Sequence, residues 1–389
     1  MQQQPTSIYT LQFGLVCLSS FLFSASFNML IPELPAYLTG LGGEEYKGLI
    51  IALFTITAGI SRPFSGKLSD TIGRVPVMAV GSLVCFLCGF LYPILTSIAG
   101  FLFLRLIHGF STGFKPTATA AYVADLVPEG KWGEAMGVHG VCFSTGLAIG
   151  PAIGSAITAN FSINILFYCS SLFALLSIVI LANMKETLVN KERFRANHLK
   201  IKKEDIIEWQ VIPSALITLL SYISYGVILT VISDWSAHLG TSNKGLFFMV
   251  FTLSSLLIRF VAGKVSDRYG RTRILKISLV ILLISLLGIA LANSSLMLMS
   301  ASAVYGVASG MLSPSVTAWT IDLSKPGQRG KAVATMYIFM EIGIGGGALL
   351  AGSMFISDVA TIPHIFYICS GITFIALLYM WFVYKPKKA

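Results

Sequence analysis

The chain has 389 residues, of which 55% are hydrophobic and only 11% charged, and its mean hydropathy is +0.80. A water-soluble protein carries about a quarter charged residues, so a soluble globular fold is excluded. The net charge of +10 invites a nucleic-acid partner, but the placement of the basic residues argues against one.

Twelve apolar runs follow in chain order: 9–30, 47–65, 76–96, 98–124, 134–158, 163–183, 211–232, 245–262, 274–292, 296–320, 332–356 and 363–384. Each is near the roughly 20 residues that a membrane-spanning helix needs. Barrel strands would alternate over segments of about 10 residues. The pattern therefore predicts an all-α membrane protein with twelve transmembrane helices. The first run lacks a basic leader and reads as a first helix, not a cleaved signal. With the N-terminus inside and the runs alternating, 21 of the 27 Lys and Arg residues fall on the inner face. Only Lys47 and Lys244 fall outside; Arg62, Arg105, Lys115 and Arg259 lie within runs or at their ends. This positive-inside bias puts both termini in the cytoplasm. It also sets the basic stretch 191–203 against anionic headgroups, not nucleic acid. Short loops suit a bacterial inner membrane. All six cysteines lie in apolar runs. Cys85 and Cys88 form a C-x-x-C without a second pair, whereas structural zinc takes four ligands. They read as packing residues, and neither a metal nor a cofactor is expected.

The sequence repeats itself at an offset of 197. Arg62, Gly66, Lys67, Ser69, Asp70, Gly73 and Arg74 land on Arg259, Gly263, Lys264, Ser266, Asp267, Gly270 and Arg271. Gly109, Gly113, Asp125, Gly146 and Gly150 land on Gly306, Gly310, Asp322, Gly343 and Gly347. One ungapped register over about 90 residues marks an internal duplication. It predicts two pseudo-symmetric six-helix bundles, 1–184 and 210–389, joined by a charged cytoplasmic linker, 185–209. Parallel repeats of this kind belong to transporters with a site near the bilayer midplane.

The stretch GKLSDTIGR, Gly66 to Arg74, is not a phosphate loop, which needs G-x-x-x-x-G-K-[ST]. On residue chemistry it reads as a tight turn at the inner face, with Gly66 and Gly73 free to adopt unusual dihedrals. Asp70 neutralises Arg74, or sits at a helix N-terminus, or the charges only fix topology. The stretch resembles the G-x-L-x-D-x-x-G-R signature between the second and third helices of the major facilitator superfamily. The resemblance covers essentially the whole chain: twelve spans, a 6+6 repeat and a basic central loop. It implies alternating access, with helices 1, 4, 7 and 10 lining the cavity. It also implies an inner gate in which Asp70, Arg74 and Asp125 clamp the first half to the start of helix 11. Gly263, Asp267, Gly270 and Arg271 are the repeat's counterpart.

The fifth run carries Gly137, Gly146, Gly150, Pro151 and Gly154. Gly146, Gly150 and Gly154 are four apart and make one smooth helix face, and Pro151 permits a kink. The spacing resembles the antiporter motif of drug/proton exporters, except that the family's last Gly is Ser155 here. RLIHGFSTG, Arg105 to Gly113, resembles the helix 4 signature R-x-x-Q-G-x-x-x-G, with His108 in place of the usual Gln.

Charges inside a span default to function. Glu341, in the middle of the eleventh run, is the candidate proton carrier; a salt-bridge partner, a direct ligand for a cationic substrate and a packed neutral acid are its rivals. Glu33, near the outer end of the first run, is the second acid and could reach the outer headgroups instead. Arg105, His108, Thr112, Lys115 and Thr119 fall within about 80° on one helix face, a stripe that faces a cavity or partner helices, not lipid. Asn28, Tyr222, Tyr225, Tyr305 and Tyr337 complete the candidate cavity set, though membrane tyrosines also serve as packing. His139 reads as a helix-packing histidine. GFSTG, Gly109 to Gly113, matches G-x-S-x-G but sits mid-helix, without the strand–turn–helix of a nucleophile elbow, so no enzyme is expected. The reading is a monomeric proton-coupled exporter of small amphipathic organic compounds. The alternative is a symporter or permease for a sugar, organic anion or other metabolite.

Overall fold

Lipid offers no partner to a backbone N–H or C=O, so a membrane segment must close its hydrogen bonds within itself. The computed structural model describes residues 8–126, 132–188, 191–200, 206–324, 329–355 and 358–383, and among these it shows helices and no strand. In the first half these are α1 (Leu11–Asn28), α2 (Leu34–Gly40), α3 (Lys47–Ile72), α4 (Arg74–Leu91), α5 (Ile98–Leu126), α6 (Trp132–Asn160) and α7 (Ile163–Ala182). The second half has α8 (Ile212–His238), α9 (Leu246–Tyr269), α10 (Arg271–Ala290), α11 (Ser295–Leu323), α12 (Arg329–Met354) and α13 (Ile362–Leu378). Apart from the short α2, these match the twelve expected spans one for one. Among the described residues, ten helices are long and apolar enough to cross a membrane. The other two are α5, which carries Arg105 and Lys115 within its 29 residues, and α9, whose apolar stretch is Leu246–Arg259.

Contacts divide the chain into two compact units, Met1–Glu33 with Ile56–Lys202, and Leu34–Thr55 with Lys203–Ala389. The division does not fall at the linker alone. It also cuts α3, whose first nine residues group with the second unit. Inside the first unit α1 packs on α6 and α7, and α4 on α5 and α7. Inside the second, α8 packs on α12 and α13, and α10 on α11 and α13. A shift of 197 residues converts each pairing of the first set into one of the second.

The repeat holds at atomic detail. A Cβ on Gly113 would meet the Ala58 carbonyl and Ser61, and one on Gly310 would meet the Ser255 carbonyl and Ile258. Those partners are themselves 197 apart. Ser97 and Ser294 each place a hydroxyl under the backbone N–H three residues on, Gly100 and Met297, capping the helices that follow. Gly73 and Gly270 both take positive φ, 124° and 90°.

Glycine sets the helix spacing. A Cβ on Gly146 or Gly150 would lie within 3.0 Å of α1 backbone, and one on Gly154 would strike the Met29 carbonyl. Gly343 and Gly347 abut the Leu219 and Ile223 carbonyls of α8 in the same way. Gly137 has nothing within 4 Å and takes no part in that face. Pro116 and Pro151 both sit inside continuous helices.

Two neighbouring glycines on α12 separate close approach from mere helix propensity. Gly347 is pressed on the α8 backbone, whereas Gly346 is exposed with nothing within 4 Å. Gly347→Leu is expected to destabilise by at least the ~1–3 kcal/mol of overpacking and to lower the thermal midpoint in detergent. Gly346→Leu should leave it unchanged or slightly raised, since Gly is the poorer helix former. Equal midpoints for the two variants would remove the packing role.

Candidate functional site

Most of the stretch Gly66–Arg74 is not a loop. Gly66 to Ile72 form the last turns of α3, and the chain reverses at Gly73 alone, before α4 starts at Arg74. Gly66 is therefore a helix-interior residue, with only Thr117 Cγ2 at 4.0 Å from a Cβ built on it, and it supplies no unusual dihedral. Gly73 does, at φ 124°. Asp70 sits at a helix C-terminal end, not an N-terminal one, and pairs with Arg74: Nη1 donates to Asp70 Oδ1 at 2.8 Å. Arg74 Nε donates to Asp125 Oδ2 at 3.2 Å, and Nη1 also reaches the Ser69 carbonyl at 2.5 Å. The guanidinium thus ties the end of α3, the start of α4 and the end of α5. In the repeat, Arg271 Nε donates to Asp322 Oδ2 at the same 3.2 Å. The side chains of residues 260–268, those of Gly263 and Asp267 among them, lie outside the described residues.

The linker adds partners that composition did not reveal. Glu186 takes up the free N–H groups at the start of α4, accepting from Arg74 N and Val75 N at 3.0 Å each. An acid there is favoured by the helix dipole. Thr187 Oγ1 donates to Asp125 at 2.7 Å, and Lys67 Nζ donates to the Lys200 carbonyl at 2.7 Å. Glu186, Thr187 and Lys200 thus stitch the linker to the charged turn.

On α5 the polar stripe faces partner helices. Lys115 is 1% exposed. Its Nζ donates to the Ser19 carbonyl at 3.1 Å, to Ser19 Oγ at 2.8 Å and Ser82 Oγ at 2.9 Å, and to Ser177 Oγ. Phe23 lies 4.9 Å away, ring centroid to Nζ. The amine joins α1, α4, α5 and α7 through hydroxyls. Nearly three turns towards the start of α5, Arg105 Nη1 donates to Tyr92 Oη at 3.3 Å, and Tyr92 meets His108 Nδ1 at 3.1 Å. His108 Nε2 meets Cys85 Sγ and Cys85 meets Ser26 Oγ, each at 3.3 Å. Arginine only donates, so Tyr92 Oη is the acceptor in its bond with Arg105. His108, standing where the family has Gln, holds a buried chain that continues through Ser26 to the Ser170 carbonyl at 2.7 Å. Cys85 is therefore a polar partner as well as a packing residue.

The first acid lies beyond a break in the first span. α1 stops at Asn28, residues 29–33 turn, and α2 restarts at Leu34. Pro35 falls in the first turn of α2, where its missing N–H costs nothing. Glu33 is buried, and Ser155 Oγ donates to its Oε1 at 2.7 Å. The departure from the antiporter pattern thus has a partner: the residue after Gly154 meets the carboxylate. Asn28 turns inward on its own helix, donating to the Ser24 carbonyl at 2.8 Å. His139 Nε2 is satisfied by Ser20 Oγ at 2.9 Å, as a packing histidine should be.

In the second unit Glu341 is the thirteenth residue of the 26 in α12 and is buried, mid-helix as expected. Three of the four candidate tyrosines cluster. Tyr222 and Tyr225 have ring centroids 6.2 Å apart, Tyr225 lies 6.0 Å from Phe251, and Phe251 5.4 Å from Tyr305. Tyr305 Oη shares a hydrogen bond with Ser224 Oγ at 3.1 Å. Tyr337, half-buried on α12, and Glu341 lie near enough to Tyr222 to act on it electrostatically.

Comparison with known proteins agrees with this geometry. The family model described as Major Facilitator Superfamily matches residues 16–212 and 214–389. The chain is 28% identical over 313 residues to a protein of Lactococcus lactis named "Multi-drug resistance efflux pump PmrA homolog", covering 76% of each chain. It is 25% identical over 374 residues to "Multidrug resistance protein 2" of Bacillus subtilis, covering 93% of this chain and 92% of that one. A solved D-xylose-proton symporter shares the fold at a TM-score of 0.78 and 16% identity, covering 95% of this chain and 96% of that one. Matched along both repeats, and built from the same helix pairings twice over, the chain belongs to the Major Facilitator Superfamily.

Proposed function

We propose that the protein is a secondary transporter that exports small amphipathic organic molecules in exchange for protons. The observation that carries this reading is the glycine face of α6. Gly146, Gly150 and Gly154 lie against the backbone of α1 and the turn beyond it, in a sequence that resembles the antiporter motif. The names of the Lactococcus and Bacillus relatives point the same way.

The working parts follow from residue chemistry. The bundles 1–184 and 210–389 rock about a site near the midplane of a bacterial inner membrane. The chain acts as a monomer with both termini, and the linker, in the cytoplasm. Glu341, buried at the centre of α12, is the proton carrier, and Glu33, held by Ser155, is the second. Each elementary charge moved down the membrane potential releases about 2.3 kcal/mol per 100 mV. Substrate enters an amphipathic cavity to which the Tyr222, Tyr225 and Tyr305 cluster contributes apolar rings with polar tips. Arg105 is set by Tyr92 and His108. The Arg74 tie holds together the first repeat's side of the inner gate, and Glu186 makes the linker move with it. Ser111 lies inside α5 and is buried, far from the setting of a hydrolytic nucleophile.

Two measurements test this. In liposomes with an internal pH dye, a lipophilic cationic drug should collapse an imposed pH gradient in the wild type, and about tenfold more slowly in Glu341→Gln. A sugar or organic anion that moves together with protons would establish the symporter instead. Equal proton flux in Glu341→Gln would pass the coupling role to Glu33.

The gate has its own test. The Asp70 side chain is 70% exposed in its pair with Arg74. Such a pair adds about 0–1 kcal/mol to stability. Asp70→Asn should therefore leave the thermal midpoint and drug affinity near wild type while turnover falls. Unaltered turnover would end the gate assignment.

A further inference from the structure

Lys47 is a cation at the N-terminal end of α3, the end that the helix dipole disfavours for positive charge, and it is nevertheless only 3% exposed. Its Nζ lies 3.4 Å from Glu44 Oε1 and 3.6 Å from Asp234 Oδ2. The ring of Phe355 covers it at 4.5 Å. Glu44 comes from the turn before α3, Asp234 from the last turn of α8, and Phe355 follows the end of α12. The neighbouring residue explains how they meet. A Cβ on Gly48 would lie 2.5 Å from the Ala348 carbonyl and 3.0 Å from Gly352 Cα, and one on Gly352 would lie 2.5 Å from Gly48 Cα. The helices α3 and α12 cross backbone to backbone at this pair of glycines. These contacts all lie within the second compact unit.

We propose that Lys47 and Asp234, set by the Gly48–Gly352 crossing, form an outer latch that breaks and re-forms in each transport cycle. The proposal rests on the alternating-access reading above. Lys47 belongs to the first sequence repeat, and Asp234 to the second. The ties at the charged turns differ, because Arg74–Asp125 and Arg271–Asp322 each stay within one repeat. Rocking of the repeats leaves those ties whole and must part Lys47 from Asp234. The contact is built to part. At 3.6 Å the ammonium is at ion-pair distance, longer than an ordinary hydrogen bond, and Lys244 of the second repeat also acts on Asp234, so the carboxylate keeps a counter-charge when Lys47 leaves. Two glycines slide apart with no side chain to unlock. Glu44 lies three residues before Lys47 in the chain and stays beside it, so the cation keeps a counter-charge when Asp234 leaves. The position is opposite in the membrane to the inner gate: α3 has 26 residues, about 39 Å at 1.5 Å per residue, with Lys47 at one end and Asp70 near the other. The pattern Lys-Gly-Leu at 47–49 also recurs at 244–246, at the repeat offset, so a matching basic residue opens the second helix of each repeat.

The test is hydrogen–deuterium exchange on the full chain in lipid nanodiscs, comparing wild type, Lys47→Gln, Asp234→Asn and Asp234→Glu. In Lys47→Gln and Asp234→Asn, exchange over 44–55 and 345–354 should rise about tenfold while exchange over 66–74 falls, the mark of a population moved to the outward-open state. Asp234→Glu, which keeps the charge, should stay near wild type. Unchanged exchange in both neutral variants would overturn the latch. So would exchange that rises in every helix together with a lowered thermal midpoint, since that describes a static brace. Drug–proton exchange measured alongside keeps the two readings apart. Opposed exchange changes without any drug efflux in the wild type would keep the latch and sink the exporter. Intact efflux with flat exchange would do the reverse.

Discussion

The closest constraint on this molecule is the contact of one helix backbone with another. In lipid no hydrophobic force drives helices together, because the tails are as apolar as the side chains, and association depends on packing and polar contacts. Glycine makes that packing close. Gly146 and Gly150 receive α1 and Gly154 the turn beyond it, Gly343 and Gly347 receive α8, Gly113 receives α3 and Gly310 receives α9. Each of these positions would drive a Cβ into a neighbour's backbone. Much else follows from them. The seating of α6 on α1 brings Ser155 to Glu33, and the crossing of α3 with α12 brings Lys47 to Asp234.

The buried amine of Lys115 in the first unit is satisfied by hydroxyls and a carbonyl. Lys115 is bound by Ser19, Ser82 and Ser177, and Arg105 by Tyr92. A buried carboxylate would answer a buried amine with a strong but costly pair, and losing either partner would leave a bare charge. Hydroxyls spread the same duty over several helices. Ser19 and Ser177 also bond each other at 2.9 Å, and Ser82 reaches Ser177 at 3.2 Å. The outcome is a cross-braced set of helices, α1, α4, α5 and α7. That suits a bundle that moves as one body. The buried carboxylates have other settings: Glu33 lies at a broken helix beside Ser155, and Glu341 mid-helix on α12.

The fold was legible because its signals are long. Twelve apolar runs and an ungapped offset of 197 need no detail to read, and the helix pairings and the glycine contacts obey the offset. The local shape of the charged stretch was not legible. Gly66 and Gly73 look alike as letters, yet only Gly73 takes positive φ, because α3 simply runs on through Gly66. Partners that are distant in sequence were hidden for another reason. Glu186 caps α4 from 112 residues away, Ser155 meets Glu33 across 122, and Tyr92 meets Arg105 only because α4 and α5 lie side by side. No spacing rule links such residues. Lys47 left one trace, its recurrence as Lys244, but an isolated basic residue at a helix start reads as topology.

The helix α3 draws these threads together. Its C-terminal end is fixed to α4 and α5 by Arg74, Asp70 and Asp125, all from one repeat. Its N-terminal end is counted with the second unit and lies against α8 and α12. The chemistry at the two ends differs in kind. One end has a guanidinium hydrogen-bonded to two carboxylates, with a glutamate and a threonine of the linker around it. The other has an ammonium at ion-pair distance from Asp234, over a glycine crossing. A charge-assisted hydrogen bond needs its geometry held, and Arg74 has that geometry from three helix ends. An ion pair longer than a hydrogen bond, in a partly wet site, holds only while its partners stay near. A helix anchored firmly at one end and loosely at the other behaves as a lever whose fixed end follows its own repeat. The asymmetry is written in residue types, arginine at the anchor and lysine at the free end, and it matches what each must do: the planar fork fixes an angle, and the flexible ammonium lets go.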